Sequence, residues 1–527
     1  MAAGTLAAAA LLPGAARAAR AVDVTAVRPA AALREPFTLG VASGDPLPDA
    51  VVIWTRLAPA PLARQGGMPD RIVPVRWEVA TDEHFRDVVR RGTAQARPSR
   101  AHSVHVDVRG LRPGTWYWYR FRADGEISPV GRTRTAPATG SMAAVTFAFA
   151  SCSQYEHGWF TAYRHLAREA VDVIFHLGDY LYEYQAGAYE AASGNVRAHV
   201  GREVRSLFDY RRRHAQYKLD RDLQAAHAAA PWIVTWDDHE VDNNYADLVP
   251  ENRIAAERNA TTAMFRRRRA NAYRAYWEHM PLRGTQRPSG ADMRLYRRFD
   301  FGAMARFSVL DTRQHRDDQP CGDVAGRLCA AVTDPGRTIL GDRQQAWLRG
   351  NLMRSPARWN IVPQQIFFAN QDRDPRPATA SNPRNGGVND GWDGYRADRD
   401  EILRFVGDHG VDNFVVLTGD VHSHWLADLR VDFEDERSPV IGTELVTTSI
   451  TSRGDGTDHN RLHREIASEN PHLRYSTNRR GYVRCRAGRD RLRVDYRTVP
   501  YVSRRGAPRR TAASFVIEDG NPRAERA

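Results

Sequence analysis

"WIVTWDDHEVDNN", residues 232–244, begins as an apolar strand and ends in side chains that bind protons or metals: Asp237, Asp238, His239, Glu240, Asp242, Asn243 and Asn244. One carboxylate beside another costs Coulomb energy that only a cation or a hydrogen-bond donor offsets. Two familiar explanations fail on the residues themselves. Asp238, Glu240, Asp242 and Asn244 alternate as in an EF-hand calcium loop, but the sixth position is Asn243 rather than Gly and the twelfth is Val249 rather than Glu. Nor is "HEVDN" a zincin helix, because Asn243 stands where the second His belongs. Helix capping accounts for an Asp or Asn at one position, not for this crowd.

Working outward, three more apolar runs end in the same kind of residue. "VTFAFASC" (145–152) ends in Cys152, "VIFHLGDYLY" (173–182) in Asp179 and Tyr182, and "VVLTGDVHSH" (415–424) in Asp420, His422 and His424. Helical patterns fall between the runs, at about 159–169, 203–229, 254–279, 342–353 and 397–409, which is α/β grammar with buried strands flanked by helices. In such sheets the carboxyl ends of strands face one crevice, so four distant segments converge there.

Residues 37–136 read differently, as short strands with turn residues and no convincing helix. "LRPGTWYWYRF" (111–121) has the Leu-x-Pro-x-Thr-x-Tyr form of fibronectin-like sandwiches, in which a Tyr near a strand start hydrogen-bonds back to the preceding turn. The domain reading is a leader over 1–30, an Ig/fibronectin-like β-sandwich over 31–138 and an α/β domain that carries the strand-end cluster over 139–520.

The chain has 527 residues, more than one ordinary core, and its 42% hydrophobic and 26% charged content is that of a globular, soluble protein. "TLAAAALLPGAARAA" (5–19) has the hydrophobic and small-residue regions of an export signal and is too short to span a bilayer. Only Met-Ala-Ala-Gly precedes it, without the usual basic region, so the true start is expected upstream of Met1. The net charge of +13 comes from scattered arginines, Lys218 being the lone Lys among 76 basic residues, which argues against nucleic-acid recognition and for a field that favours anionic substrates. The one dense run, "RRRR" (266–269), is expected on a solvated helix face. Cys321 and Cys329, in the loop-like "CGDVAGRLC", are expected to form a disulfide in an oxidising compartment, and Cys485, in an alternating strand pattern, to be buried and inert.

"FASCSQY", "HLGDYLYEY", "TWDDHEVDNNYAD", "WDGYRADR" and "LTGDVHSHW", in this order after "FTLGVASGDPLPDAVVIWTRL", closely resemble the PhoD-type alkaline phosphatase D family. The resemblance covers roughly residues 37–520 and places the chain in the metallophosphoesterase class, related to purple acid phosphatases. It implies a metallophosphoesterase-type β-sandwich flanked by helices, with ferric iron and calcium, Fe3+ and Ca2+, at the strand ends. Carried over residue by residue, Cys152 is an iron ligand, Asp179 the carboxylate bridging the metals, Tyr182 an iron phenolate, Asp238 and Asp420 ligands of the second metal and His422 an iron ligand. His239 is the histidine that meets substrate or leaving group, and His424 an outer residue. Gln365, in "IVPQQIFF", lies where related enzymes often carry a metal-binding His, and its amide oxygen is expected to serve calcium; Asn244 is a further calcium ligand and Asn243 a substrate contact.

The function so implied is hydrolysis of phosphate monoesters and some diesters by direct attack of a metal-bound hydroxide, in a secreted or periplasmic monomer without membrane insertion. Export of the folded chain by the twin-arginine route is expected, although the twin-Arg motif is not in this sequence. Two other readings stay open here: a phospholipase D-like enzyme acting on lipid diesters, and a secreted binding protein whose metals serve only structure. Substrate choice is expected to rest on the loops 185–205, 312–335 and 370–396.

Overall fold

A computed structural model describes residues 33–251, 261–321, 328–373, 387–435, 437–458 and 460–527. The leader read over 1–30 lies outside these residues, as do 252–260, 322–327 and 374–386, which fall in the expected helix from 254 and in two of the loops named above.

The apolar runs fold as strands covered on both sides. Val145–Ala150, Val173–Leu177 and Trp232–Thr235 lie side by side and parallel, with Ile174 opposite both Ala148 and Trp232. Successive side chains of a strand point to opposite faces. Phe147, Phe149, Phe175 and Leu177 therefore enter a slab shared with Phe307, Ile361, Val415 and Leu417 of a second sheet, whose parallel strands are Ala305–Val309, Trp359–Pro363, Phe414–Thr418 and Val440–Val446. Ala148, Ala150 and Ile174 pack the other way, against Tyr163, Leu166, Tyr217, Leu223 and Tyr273 from the helices Thr161–Leu166, Leu207–Lys218, Arg221–Ala229 and Thr262–His279. On the far side of the second sheet, Phe414 and Val416 meet Leu348 and Leu352 of the helix Gly341–Met353 and Ile402 and Leu403 of the helix Arg396–Asp408. Burial on both faces is why these strands read as unbroken apolar runs. Each such side chain contributes roughly 1.5–3 kcal/mol. The result is a sandwich of a ten-stranded and a seven-stranded sheet with helices outside both.

The N-terminal strands make the smaller sandwich. Val73–Ala80, Val88–Ala96, Trp116–Ala123, Glu126–Ile127 and Gly131–Arg134 form one sheet, which packs on Val41–Leu47, Ala50–Arg56 and Ser103–Arg109. The Tyr117 hydroxyl accepts the Arg112 N–H at 2.9 Å, the bond that "LRPGTWY" announces. A feature absent from the sequence reading is that the second sheet does not stop there. Val41–Leu47 runs parallel to Trp232–Thr235 at Gly44 and Trp232, so the small sandwich extends the large sheet. Gly44 is required at the joint, because a Cβ there would sit 2.6 Å from the carbonyl oxygens of both Trp232 and Pro281.

The arginine run departs from its expected solvated face. Arg266 and Arg267 are exposed, but Arg268 and Arg269 turn inward. Arg268 pairs with Asp242 at 2.9 Å and Glu203 at 3.0 Å, and Arg269 with Asp247 at 2.7 Å, so part of the run holds the acidic stretch 237–247 in place. Cys321 and Cys329 are disulfide-bonded, Cys485 is buried in the strand Arg480–Ala487, and Trp392 and Tyr395 pack inside rather than lining a surface. Among the described residues, no helix is long and apolar enough to cross a membrane.

Candidate metal centre

The strand ends bend sharply where the chemistry sits. Cys152 (φ 60°), Asp179 (54°), Asn244 (52°), Asp420 (60°) and His422 (57°) all adopt the left-handed conformation that non-glycine residues avoid. Such strain costs of order 1–3 kcal/mol per residue and persists where the surroundings over-determine it, characteristically at ligand and catalytic sites. The preceding glycines let the turns close. A Cβ on Gly178 would lie 2.4 Å from the Asp237 Cβ, and one on Gly419 2.8 Å from the Ser151 Cβ.

Cys152 Sγ, a carboxylate oxygen of Asp179 and a ring nitrogen of His422 lie within 4.8 Å of one another. Tyr182 completes the group: its hydroxyl donates to Asp179 Oδ2 at 2.9 Å, lies 3.1 Å from His422 Nε2 and accepts from Ser452 Oγ at 2.7 Å. Asp179 Oδ1 is buried with no hydrogen-bond partner. Burial, then the neighbouring acids, pushes the Asp179 carboxyl well above its usual range; burial and Asp179 do the same to the Cys152 thiol and the Tyr182 phenol. Burial, then Arg453 and Arg480, keeps His422 neutral. A buried carboxylate, thiol, phenol and neutral imidazole in one cluster, one oxygen lacking any donor, fit a metal cation.

A second group shares Asp179. Its carboxylate, that of Asp238 and a nitrogen of His239 again lie within 4.8 Å, so Asp179 stands between the two groups as a bridge would. Asp238 accepts the N–H groups of His239 (3.0 Å) and Asn244 (2.7 Å); burial opposes its charge, but Arg313 and His239 outweigh burial and hold its carboxyl below the usual range. Asp420 joins neither three-residue group; its carbonyl lies 3.7 Å from Cys152 Sγ, and burial lifts its carboxyl to about 7 in the field of Arg313, Asp238 and Asp390. His239 places Nδ1 2.8 Å from Glu183 Oε2 and lays its ring 4.0 Å from that of Tyr182. Burial would strip its proton, yet Glu183, Asp238 and Asp179 together raise its pKa well above the ordinary value. Asn243 gives its side-chain N–H to Glu251 at 2.8 Å and its backbone N–H to Glu183 at 2.9 Å.

The remaining acids of the opening stretch are supports. Glu240 accepts the backbone N–H groups of Asp179 (3.0 Å), Tyr180 (2.6 Å) and Asp237 (2.8 Å), tying two strand ends together. Asp237 pairs with the fully buried Arg313 at 2.5 Å, and Arg313 also reaches Asp390 at 2.8 Å. One expected ligand is corrected. Gln365 sits at its strand end, but Oε1 accepts both the N–H (3.1 Å) and the hydroxyl (2.6 Å) of Thr312, and Nε2 donates to Thr235 Oγ1 (2.7 Å) and Leu310 O (2.9 Å). An amide so saturated knits the two sheets and has no oxygen to offer a metal. His424 accepts the Thr448 N–H at 3.1 Å, is fully buried and joins neither group.

Residues 147–496 match the family described as PhoD-like phosphatase, and residues 22–137 match its N-terminal domain. The chain belongs to the PhoD-like phosphatase family. Alkaline phosphatase D of Bacillus subtilis (strain 168) is 52% identical over 484 residues, which cover 92% of this chain and 81% of that relative. A solved structure of PhoD superposes with a TM-score of 0.89 at 51% identity, covering 93% of this chain and 92% of the other. A purple acid phosphatase isolated from yellow lupin (Lupinus luteus) seeds shares the fold alone, with a TM-score of 0.52 at 11% identity over 91% of this chain and 74% of that one. As a PhoD-like phosphatase the chain is a phosphoric ester hydrolase with the metallophosphoesterase architecture.

Sequence reasoning missed Glu183, Arg313, Asp390 and Ser452. Glu183 stands inside the quoted "HLGDYLYEY", one residue after Tyr182, and an acid so close to a ligand turn was the available signal. The partners of Arg313, Asp237 and Asp390, lie 76 and 77 positions away, and no local pattern marks them.

Proposed function

We propose that this phosphatase hydrolyses phosphate monoesters and some diesters with a ferric iron and calcium pair, Cys152, Asp179, Tyr182 and His422 holding the iron and Asp179, Asp238, Asn244 and Asp420 the calcium. The observation that carries the reading is the buried Asp179 carboxylate, common to both three-residue groups and with one oxygen lacking any donor. When bound, the metal pair supplies Lewis-acid charge to the phosphate oxygens and acidifies a hydrolytic water. The chain's own residues do the rest. Glu240 and Arg313 fix the turns that carry Asp179, Asp237 and Asp238. His239, held through Nδ1 by Glu183, keeps a proton on Nε2 and gives it to the departing alkoxide. Asn243 contacts the substrate from the same loop. Ser153 is no nucleophile on this reading, because its hydroxyl is spent on Tyr163 at 2.5 Å. Units bounded at 31–138 and 139–520, a monomeric state and export belong to the same proposal.

Asp179→Ala and Cys152→Ala each lower hydrolysis of a chromogenic phosphate ester below about a thousandth of wild type, the scale of a major electrostatic group in an active site, while circular dichroism reports an intact fold. Full activity in either variant ends the proposal. Elemental analysis finds iron and calcium, and a tyrosinate-to-iron absorption band disappears in Tyr182→Phe.

A further inference from the structure

Beside His239 the site is bounded by two loops that the mechanism above leaves unused. Tyr184 stands edge-on to the His239 imidazole, centroids 5.3 Å apart, and Tyr189 meets Tyr184 at 5.7 Å and Tyr182 at 6.3 Å. Both Tyr184 and Tyr189 are half-buried, so part of each ring faces solvent. On the other loop, Arg453 is exposed and touches His422 Nδ1 through Nε at 3.1 Å. Among the described residues no carboxylate lies within ion-pair distance of its guanidinium, whereas Arg313 and Arg316 on the other side of the site both pair with Asp390.

The two loops are built against each other. His157 accepts the Arg453 backbone N–H at Nδ1 (2.9 Å), donates Nε2 to the Tyr189 carbonyl (3.0 Å) and sets its ring against that of Tyr189 at 4.5 Å. Arg453 is held at φ 71°, a strained conformation for a side chain of its size, and a Cβ on Gly454 would fall 2.1 Å from Ser193 Oγ. A surface arginine fixed by strained backbone, without an acid to satisfy it, is an anion anchor. Partly exposed tyrosine rings beside a residue that meets the leaving group form a stacking wall.

We infer that Tyr184, Tyr189 and Arg453 form a leaving-group subsite that selects phosphate esters whose alcohol carries a planar ring, an aryl or nucleobase-bearing alcohol. Arg453 takes a non-bridging phosphate oxygen and the tyrosines take the ring, while a small flexible alcohol gains the first contact and not the second. The inference rests on the phosphoesterase reading, and the experiment separates the two.

Phenyl phosphate and glycerol 3-phosphate are compared as substrates of the metal-loaded full chain. Tyr189→Ala lowers kcat/KM for phenyl phosphate about tenfold, within the range of a ring stacked on an aromatic side chain, and Tyr189→Phe restores it. Glycerol 3-phosphate changes by less than about twofold in both variants, and Arg453→Gln raises KM for both esters. The tyrosinate-to-iron band, unchanged in Tyr189→Ala, shows that the metal site survives. Equal losses on the two esters, or none on either, overturn the subsite while leaving the phosphoesterase reading intact. A wild-type chain that hydrolyses neither ester overturns the phosphoesterase reading, and the subsite with it.

Discussion

At the carboxyl ends of Val173–Leu177 and Trp232–Thr235 a cluster of acids is buried around His239 and Arg313, and on the outer face of the same strands a cluster of bases is buried. Lys218, the lone lysine, is fully buried between helices, 3.2 Å from His227 Nε2 and over the rings of Trp54 (4.5 Å) and Tyr180 (5.3 Å). His176, His214, His279 and Arg56 face the same space, where Arg56 Nη1 meets His279 Nε2 at 2.7 Å and His214 stacks on His279 at 4.8 Å. Burial there is met by giving up charge: the four histidines are driven neutral, first by desolvation, and Lys218 falls to about 7 for the same reason. The acidic cluster takes the other course. Arg313 and His239 hold Asp238 ionised, and one buried oxygen of Asp179 has no donor. In the acidic cluster charge is held by partners, and among the lysine and histidines of the basic one the proton is given up.

The largest expected break in this contrast comes from Arg313→Ala, which removes the cation paired with the buried Asp237, while Asp390 keeps Arg316 at 3.3 Å. Stability should fall by about 3–5 kcal/mol, read from denaturant midpoints. A midpoint within error of wild type would mean that bound metals alone hold these acids.

Glu183→Gln should lower kcat by about 10–100-fold, the usual effect of losing a residue that orients a catalytic or ligating side chain. The amide retains a hydrogen bond to His239 Nδ1 but removes the charge that raises its pKa. His239 then loses its proton at lower pH, so the alkaline limb of the kcat–pH profile moves down. An unmoved limb would exclude His239 as the acid.

A pH dependence sharpens the basic side. Because the folded pKa of Lys218, about 7, lies below the 10.5 of an exposed lysine, the unfolded chain binds more protons between those values. Stability then climbs with pH across that window by up to about 1.4 kcal/mol per unit, the penalty being complete below it and gone above it. Lys218→Met abolishes this slope. Thermal melts at pH 7, 8, 9 and 10 give the difference between the two proteins, and a difference that does not vary with pH would refute the assignment.

What the sequence makes legible follows from distance along the chain. Cys152, Asp179, Asp238, Asp420 and His422 each terminate an apolar run, so a local pattern marks them and strand topology brings them together. Gln365 occupies the right strand end, yet its neighbour Thr312 on an adjoining segment claims its oxygen, which no reading of "IVPQQIFF" reveals. The arginine run looks solvated because its acids, Glu203 and Asp242, belong to other segments. Glu183 serves His239 across 56 positions, and only the fold makes that pair.

Gly44 is where the small sandwich meets Trp232, its hydrogen lying where any side chain would strike two carbonyl oxygens. The contact makes the N-terminal module a splint rather than a passenger. Trimmed back to residue 139, the large sheet would lose Val41–Leu47 and its companions and bare the flank of Trp232–Thr235, whose free backbone groups invite a strand from another molecule. The same strand carries the acidic stretch at its end, so a shortened chain would be expected to clump through the very segment that bears its chemistry.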